Sequence, residues 1–379
     1  MSAVLLAALV LFVLLFDRLL GIAVPSLNAA LLSAAGSAAR YVTAEFEVTA
    51  HNNALGLRGT ELSVAKSPSV KRVVALGDSF TWGWGVSDGE AWPAVLEGLL
   101  KGRGLRAEVA NAGQPGADPV LYAQNARRII PVLKPDLVIV GVLQGDDVEQ
   151  LRESLSSRSK SAWVGKAIRV LLPNMLGLAK RLRTALNPVV EIGPSWRRQA
   201  QSVLRRMSED EGGRYATLDA EVRATFEGGR LNPFFVQIAL RRPDYFVAAT
   251  RIEGLAVPQG IMADSLRDLA GVAAANGCEV IVVSIPYPVY VSRAELQTQR
   301  RIGFALTEQL LTSDVPDRTI QEACGRAGVP CVTVSSAFRD RCARPELFFP
   351  LDGHLNAPGH RFLAEQLAPI IERRLRGGR

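Results

Sequence analysis

The feature that most constrains this chain is a set of five short apolar runs, rich in Val and Ile, separated by longer stretches of helical spacing. The runs are Arg72–Leu76 (RVVAL), Ala107–Asn111, Asp136–Leu143 (DLVIVGVL), Glu279–Pro286 (EVIVVSIP) and Val329–Ser335. Unbroken apolar character over this length fits strands covered on both faces. Between and after them, Trp92–Lys101, Val120–Leu133, Met262–Asn276, Arg318–Ala327 and Pro358–Leu375 read as helices. Strand and helix in alternation predict an α/β fold, a three-layer α/β/α sandwich around a five-stranded parallel sheet. Such sheets bind ligands outside the carboxyl ends of their strands, so chemistry is expected at that rim.

Two regions fall outside the alternation. Residues 3–16 are fourteen consecutive apolar residues, and after Asp17 and Arg18 the run resumes over 19–24. Counted through Val24, the run is long enough to cross a bilayer. No Lys or Arg precedes it, so the positive leader of a secretory signal is missing. We read it as an uncleaved membrane helix; a buried core helix is the bland alternative, and small-residue tripeptides near Ser33–Ala39 leave cleavage open. Arg18 and Arg40 set no clear orientation.

The second region, Leu151–Val257, is far too long for an ordinary connection and is expected to be a basic helical insert or lid. The expected organisation is then 1–40 membrane anchor and linker, 41–150 and 258–379 the two parts of one α/β domain, and 151–257 the insert. The net charge of +7 is concentrated in the insert, where residues 151–208 hold twelve Lys or Arg against two acids. Within it, Ala162–Leu186 alternates apolar and basic residues at helical spacing. It reads as a membrane-surface element for anionic headgroups or as a cap with a solvated basic face. No recognition motif accompanies this charge, so nucleic-acid binding is not expected. Four Cys (278, 324, 331, 342) without a CxxC, and three His (51, 354, 360), give little material for a disulfide scaffold or a metal site. Buried thiols and no metal are expected. Oligomeric state is left open.

Leu76-Gly77-Asp78-Ser79-Phe80 closes the first strand. A Ser between a strand's carboxyl end and a helix presents its hydroxyl to the cleft, with backbone N–H groups at hand for a developing oxyanion. A serine nucleophile needs a base. Asp352 and His354 lie at i and i+2 in a loop, so the carboxylate can hold Nδ1–H and leave Nε2 free for the Ser79 proton. His51 precedes the first strand, and His360 is expected to pack structurally at the last helix. Asp78 is expected to fix the turn by hydrogen bonding. At lower weight, Trp82 and Trp84 either stack on a sugar ring or pack under the sheet. Tyr287 and Tyr290, leaving the fourth strand, are candidate lining residues.

Four blocks, in order, carry a resemblance. Val74-Ala75-Leu76-Gly77-Asp78-Ser79-Phe80-Thr81, Asn111-Ala112-Gly113-Gln114-Pro115-Gly116, Gly145-Asp146-Asp147 and Asp352-Gly353-His354 resemble the conserved blocks of the SGNH (GDSL) hydrolase superfamily. The resemblance covers about residues 53 to 375 apart from the insert. The stretch 52–59 resembles the lead-in of bacterial members with an N-terminal membrane segment. The resemblance implies a flavodoxin-like sandwich and a serine esterase with Ser79 as nucleophile, His354 as base and Asp352 as its acid partner. It also implies an oxyanion hole from Ser79, Gly116 and residue 146, and no cofactor. Small acyl groups, acetyl among them, on an envelope carbohydrate or lipid are the implied substrates, with the catalytic domain outside the cytoplasm. Acyl transfer to a glycan, and a catalytically weak or inactive binding or assembly module in a cell-envelope complex, are the alternative readings.

Two departures matter. One residue separates Asp352 from His354, where many members have two. More seriously, Asp146 stands where the family carries Asn. The Asn amide donates to the oxyanion, and an ionised carboxylate donates nothing. Two unit charges ~4 Å apart repel by ~4 kcal/mol at an effective dielectric of 20, as much as the loss of an oxyanion donor, ~3–4 kcal/mol. Three resolutions stay open: Asp146 is protonated, raised by burial and by Asp147; it turns away, leaving the Ser79 and Gly116 N–H groups; or Gln144 donates in its place.

Overall fold

The computed structural model describes residues 3–24, 30–156, 171–341 and 346–377. The expected amphipathic stretch up to residue 170, and Cys342, lie outside these residues. In chain order come α1 (Ala3–Ala23), a hairpin of β1 (Ala38–Val42) and β2 (Glu47–His51), then β3 (Lys71–Gly77), α2 (Ser79–Trp82) and α3 (Trp92–Gly102). Next are β4 (Ala107–Gly113), α4 (Pro119–Leu133), β5 (Leu137–Leu143) and α5 (Asp146–Ser156). The long segment after it holds α6 (Pro173–Leu186), β6 (Val189–Glu191), α7 (Gly193–Arg206), α8 (Glu209–Thr217), α9 (Ala220–Glu227), α10 (Pro233–Arg241) and α11 (Tyr245–Ala248). The chain closes with α12 (Ala256–Ala275), β7 (Glu279–Ile285), α13 (Arg293–Arg301), α14 (Val315–Ala327), β8 (Cys331–Thr333), α15 (Ser335–Arg341) and α16 (Ala357–Leu375).

Five strands form one parallel sheet in the order β4-β3-β5-β7-β8. Residues alternate between its two faces. Val73 and Ala75 join a core with α3 and α16, while Val74 and Leu76 join a second core with α4, α12 and α14. All four are fully buried. Burial of a Val or Leu side chain is worth ~1.5–3 kcal/mol, so these runs are apolar throughout because both faces are covered. Helix starts are set locally: Asp118 accepts from Leu121 N at 2.8 Å before Pro119, and Asn356 accepts from Gly359 N at 3.0 Å.

Two elements differ from expectation. The fifth strand shrinks from 329–335 to the three residues of β8, because Pro330 has no N–H for a ladder and the chain turns into α15 at Ser335. Helix α12 starts six residues before the expected Met262; its Pro258 falls in the first turn, where no intrahelical N–H bond is lost.

A second, small sheet was not legible in advance. β1 pairs antiparallel with β2 and parallel with β6, so a strand from the long segment completes an N-terminal hairpin. The expected boundary at residue 40 therefore falls inside β1. The hairpin turn is fixed by Thr43, whose Oγ1 accepts from Glu45 N and Phe46 N.

Helix α1 is long and apolar enough to cross a membrane, by length and composition. Twenty-one residues at ~1.5 Å each give ~31 Å, close to a hydrocarbon core of ~30 Å. Its apolar side chains are exposed, but Asp17 is fully buried. Asp17 accepts from Met175 N at 2.8 Å and from Asn174 Nδ2 at 2.9 Å, which caps the start of α6. A Cβ on Gly21 would come within 2.6 Å of the Asn174 side chain, so glycine permits this close packing.

Candidate active site

The carboxyl ends of β3 and β4 carry Gly77 and Gly113, and Gly77 pairs with Gly141 of β5. Added Cβ atoms at Gly77 and Gly113 would lie 2.1 Å from Thr81 Oγ1 and 2.3 Å from Trp82 N. Lack of a side chain there lets α2 sit directly on the strand ends and brings Ser79 to the rim. Asp78 Oδ1 accepts from Phe80 N at 2.9 Å and fixes the turn. Helix α2 has only four residues, so any oxyanion stabilisation comes from local N–H groups rather than from a macrodipole.

His354 Nε2 lies 2.7 Å from Ser79 Oγ. His354 Nδ1 makes a short contact with Asp352 Oδ1, and Asp352 Oδ2 accepts from Trp84 Nε1 at 3.2 Å. The loop that carries Asp352 and His354 is tied from several sides. Gly353 N donates to Phe349 O at 2.7 Å, and Gln299 Nε2 to Pro350 O at 2.9 Å. Glu45, in the β1–β2 turn, accepts from Leu351 N and Asp352 N, both at 2.7 Å. Burial acts to lower the His354 pKa, but the Asp352 carboxylate outweighs it and the net direction is up, with Asp78 and Asp146 adding.

A cleft of about 280 Å³ opens beside this group. Ser79, Trp84, Gly116, Asp146, Tyr287 and His354 line it, together with α10 and α11 residues. Gly116 has a positive φ of 73° in the loop after β4. The loop is held by Gln114 N donating to Gly77 O at 2.9 Å. Among the described residues, neither the Ser79 nor the Gly116 N–H is engaged by another protein group.

Asp146 lines the cleft, yet both its oxygens are occupied. Tyr245 OH donates to Oδ1 at 2.8 Å, and Gln150 Nε2 donates to Oδ2 at 2.5 Å. Burial pushes its pKa up, and the bonds from Tyr245 and Gln150 oppose that rise. Asp147 is buried behind it, accepting from Tyr122 OH at 3.0 Å and Leu143 N at 2.9 Å; burial and Asp78 hold its pKa well above the usual range.

Three expected lining residues do not reach the cleft. Gln144 is buried beneath the rim, where Nε2 donates to Ser284 Oγ, Asp317 Oδ1 and Ser335 Oγ at 2.7–2.9 Å, so it has no N–H left for an oxyanion. Trp82 packs under the small sheet with the Arg58 guanidinium 4.2 Å over its ring. Tyr290 is buried, donating to Phe246 O at 2.9 Å. Trp84 and Tyr287 do line the cleft. Of the other histidines, His51 is exposed and 2.8 Å from Asp88, and His360 accepts from Trp92 N at 3.2 Å. Burial drives the His360 pKa down to about 3, so it stays neutral and structural.

Sequence reasoning missed Glu45, Tyr245 and the insert's contribution to the cleft. Glu45 and Tyr245 stand in no motif. The apolar run Pro233–Leu240 was the available signal for a cleft wall. Cys278, Cys324 and Cys331 are free thiols, and none lies in the cleft. Among the described residues no cluster of His, Cys, Asp and Glu has metal-holding geometry.

No family model matches the sequence, and no curated protein does. Among solved structures the chain is similar to TesA, at 13% identity over 80% of this chain and 99% of that one, with a TM-score of 0.40. It is similar to a catalytic mutant of an acetylxylan esterase from Geobacillus stearothermophilus, at 12% identity over 82% and 96%, TM-score 0.36. A GDSL-like lipase from Bacteroides thetaiotaomicron aligns at 13% identity over 83% and 93%, TM-score 0.36.

Proposed function

We propose that the chain is a serine ester hydrolase, and within that class an enzyme of the SGNH (GDSL) type. The observation that carries this reading is the relay in which Ser79 meets His354, 275 positions away in the chain, with Asp352 behind it, at a cleft on the carboxyl rim of the sheet. His354 takes the Ser79 proton as Oγ attacks the ester carbonyl, and Asp352 stabilises the imidazolium that forms. The Ser79 and Gly116 N–H groups receive the oxyanion. His354 then protonates the leaving alcohol, and water, activated by His354, releases the acid from the acyl-enzyme. Trp84 and Glu45 hold Asp352 and its loop in place. Asp146 supplies no donor in this scheme, because its oxygens accept from Tyr245 and Gln150.

In the same reading, α1 anchors the enzyme in a membrane with the catalytic domain outside the cytoplasm, where envelope carbohydrate or lipid esters are the available substrates. A binding module without catalysis is favoured only by Asp146. Fluorophosphonate labelling separates the two. Wild type should label, and Ser79→Ala should not; folded wild type that fails to label sinks the esterase.

A further inference from the structure

We infer that the insert makes the cleft an acyl pocket for an unbranched apolar chain, so that acetyl is not the preferred group. This rests on the esterase reading of Ser79. Helix α10 has two apolar faces. Val236, Ala239 and Leu240 point into the core and are buried. Ile238 lies four residues after Phe234 and three after Phe235, so it shares a face with each, and all three line the cleft. Phe234 is 60% exposed at the mouth, an apolar surface continuous with the cleft beside Ser79.

The wall is built to hold its shape. Asn232 Oδ1 accepts from Phe234 N at 3.1 Å and starts α10. On α11, Phe246 stacks on Tyr287 with centroids 4.3 Å apart, and its carbonyl accepts from Tyr290. Tyr245, from the same short helix, is tied to Asp146 at 2.8 Å. The polar groups Asp146, Gln150 and Asn232 also line the cleft, and the first two are bonded to each other.

The cleft, at about 280 Å³, is larger than an acetyl group fills, since a water-sized group takes at most ~30 Å³. An acetyl group leaves most of the space unfilled.

Geometry favours the acyl side over the alcohol side. Gly116 follows β4 on one side of Ser79's strand, whereas Leu143 and Tyr287 follow β5 and β7 on the other. With the carbonyl oxygen directed to Gly116, one substituent runs along the apolar wall. The leaving oxygen must stay beside His354 Nε2 to receive its proton, and His354 is partly open to solvent. The substituent on the wall is therefore the acyl chain.

The test is a chain-length series with the full-length protein in detergent: nitrophenyl esters from acetate to dodecanoate, and in parallel acetate esters of alcohols of rising length. Each buried methylene should raise kcat/KM about four-fold until the α10 wall is covered, and longer chains should gain nothing further. Ile238→Phe and Phe235→Trp should shorten the optimum, and Ile238→Ala should lengthen it. Ser79 that labels with fluorophosphonate but prefers acetate, follows the alcohol series instead, or keeps its optimum in all three variants overturns the pocket alone. Absence of both labelling and turnover overturns the esterase and the pocket together.

Discussion

Replacing Glu45 by Gln separates what this residue does for catalysis from what it does for stability, because the two effects have opposite signs. The carboxylate accepts two backbone bonds at 2.7 Å, from Leu351 N and Asp352 N. An amide has one accepting oxygen, so the variant turns an NH2 group towards one of those donors. A hydrogen bond to a charged group is worth ~1.5–3 kcal/mol, and the loop bearing Asp352 and His354 loses about that much restraint. The charge itself is costly where it sits. Burial first, and Asp352 beside it, raise the Glu45 pKa from 4.5 to about 7, with the two N–H groups only partly opposing. At 1.36 kcal/mol per tenfold, ionising Glu45 in the folded protein costs roughly 3 kcal/mol more than in the unfolded chain. The folded state binds this proton more tightly, so the stabilising contribution is full below pH 4.5 and is lost as pH rises through 7. Glu295, also raised to about 7 by burial and by Glu45, adds a slope of the same sign in both proteins. At pH 8, then, Glu45→Gln should unfold at the same or a higher temperature than wild type, yet its kcat should fall by about ten-fold or more with KM little changed. Thermal unfolding at pH 5 and pH 8, beside ester kinetics at pH 8, reads both. Wild-type kcat in a folded variant, or equal pH slopes of stability in the two proteins, would refute the reasoning.

Two further outcomes are expected. Burial raises the Asp146 pKa, so the cleft gains a negative charge as pH rises through that value and oxyanion formation is opposed above it; Asp146→Asn should extend activity to higher pH, and superimposable pH profiles of kcat/KM would remove Asp146 from the electrostatics of the reaction. Gly21→Cys combined with Asn174→Cys should crosslink in native membranes, since a Cβ at Gly21 meets the Asn174 side chain at 2.6–2.7 Å; a chain that has lost α1, or a pair that stays reduced under oxidant while the protein is folded, would show that α1 does not dock on α6.

The sheet was legible because burial on both faces leaves an unbroken apolar run, and the first four runs became β3, β4, β5 and β7 within two residues at either end. The fifth run misled because only Cys331–Thr333 pair with β7, while the flanking Val329 and Val334 pack in the two cores outside that ladder. Ser79, Asp352 and His354 were legible for a different reason: each sits at a strand end or in a turn whose local spacing fixes direction, so position could be argued without tertiary contacts. Gln144 failed that reasoning. Two residues before Asp146 it should have shared the rim, but Ser284, Asp317 and Ser335 draw its amide under the sheet. Glu45, β6 and α10 were out of reach because each acts on a residue more than 40 positions away, through pairings that no local pattern encodes.

Asp146 shows how the insert enters the chemistry. The Ser79–His354 pair is surrounded by carboxylates at Asp352, Asp78 and Asp146, all of which favour the imidazolium. In the proposed reaction, that helps the step in which His354 accepts a proton and hinders the simultaneous growth of charge on the carbonyl oxygen. Asp352 is directed at Nδ1, on the far side of the ring from Ser79, so its benefit exceeds its harm. Asp146 has no such geometry by itself, because it projects from the rim into the cleft. What directs it is Tyr245 of α11, together with Gln150 of α5, whose donors draw its charge towards the insert rather than towards Gly116. On the proposed reading, Asp146 and the long insert after it therefore act together: the carboxylate is tolerable beside a nascent oxyanion because the insert supplies a partner to hold it.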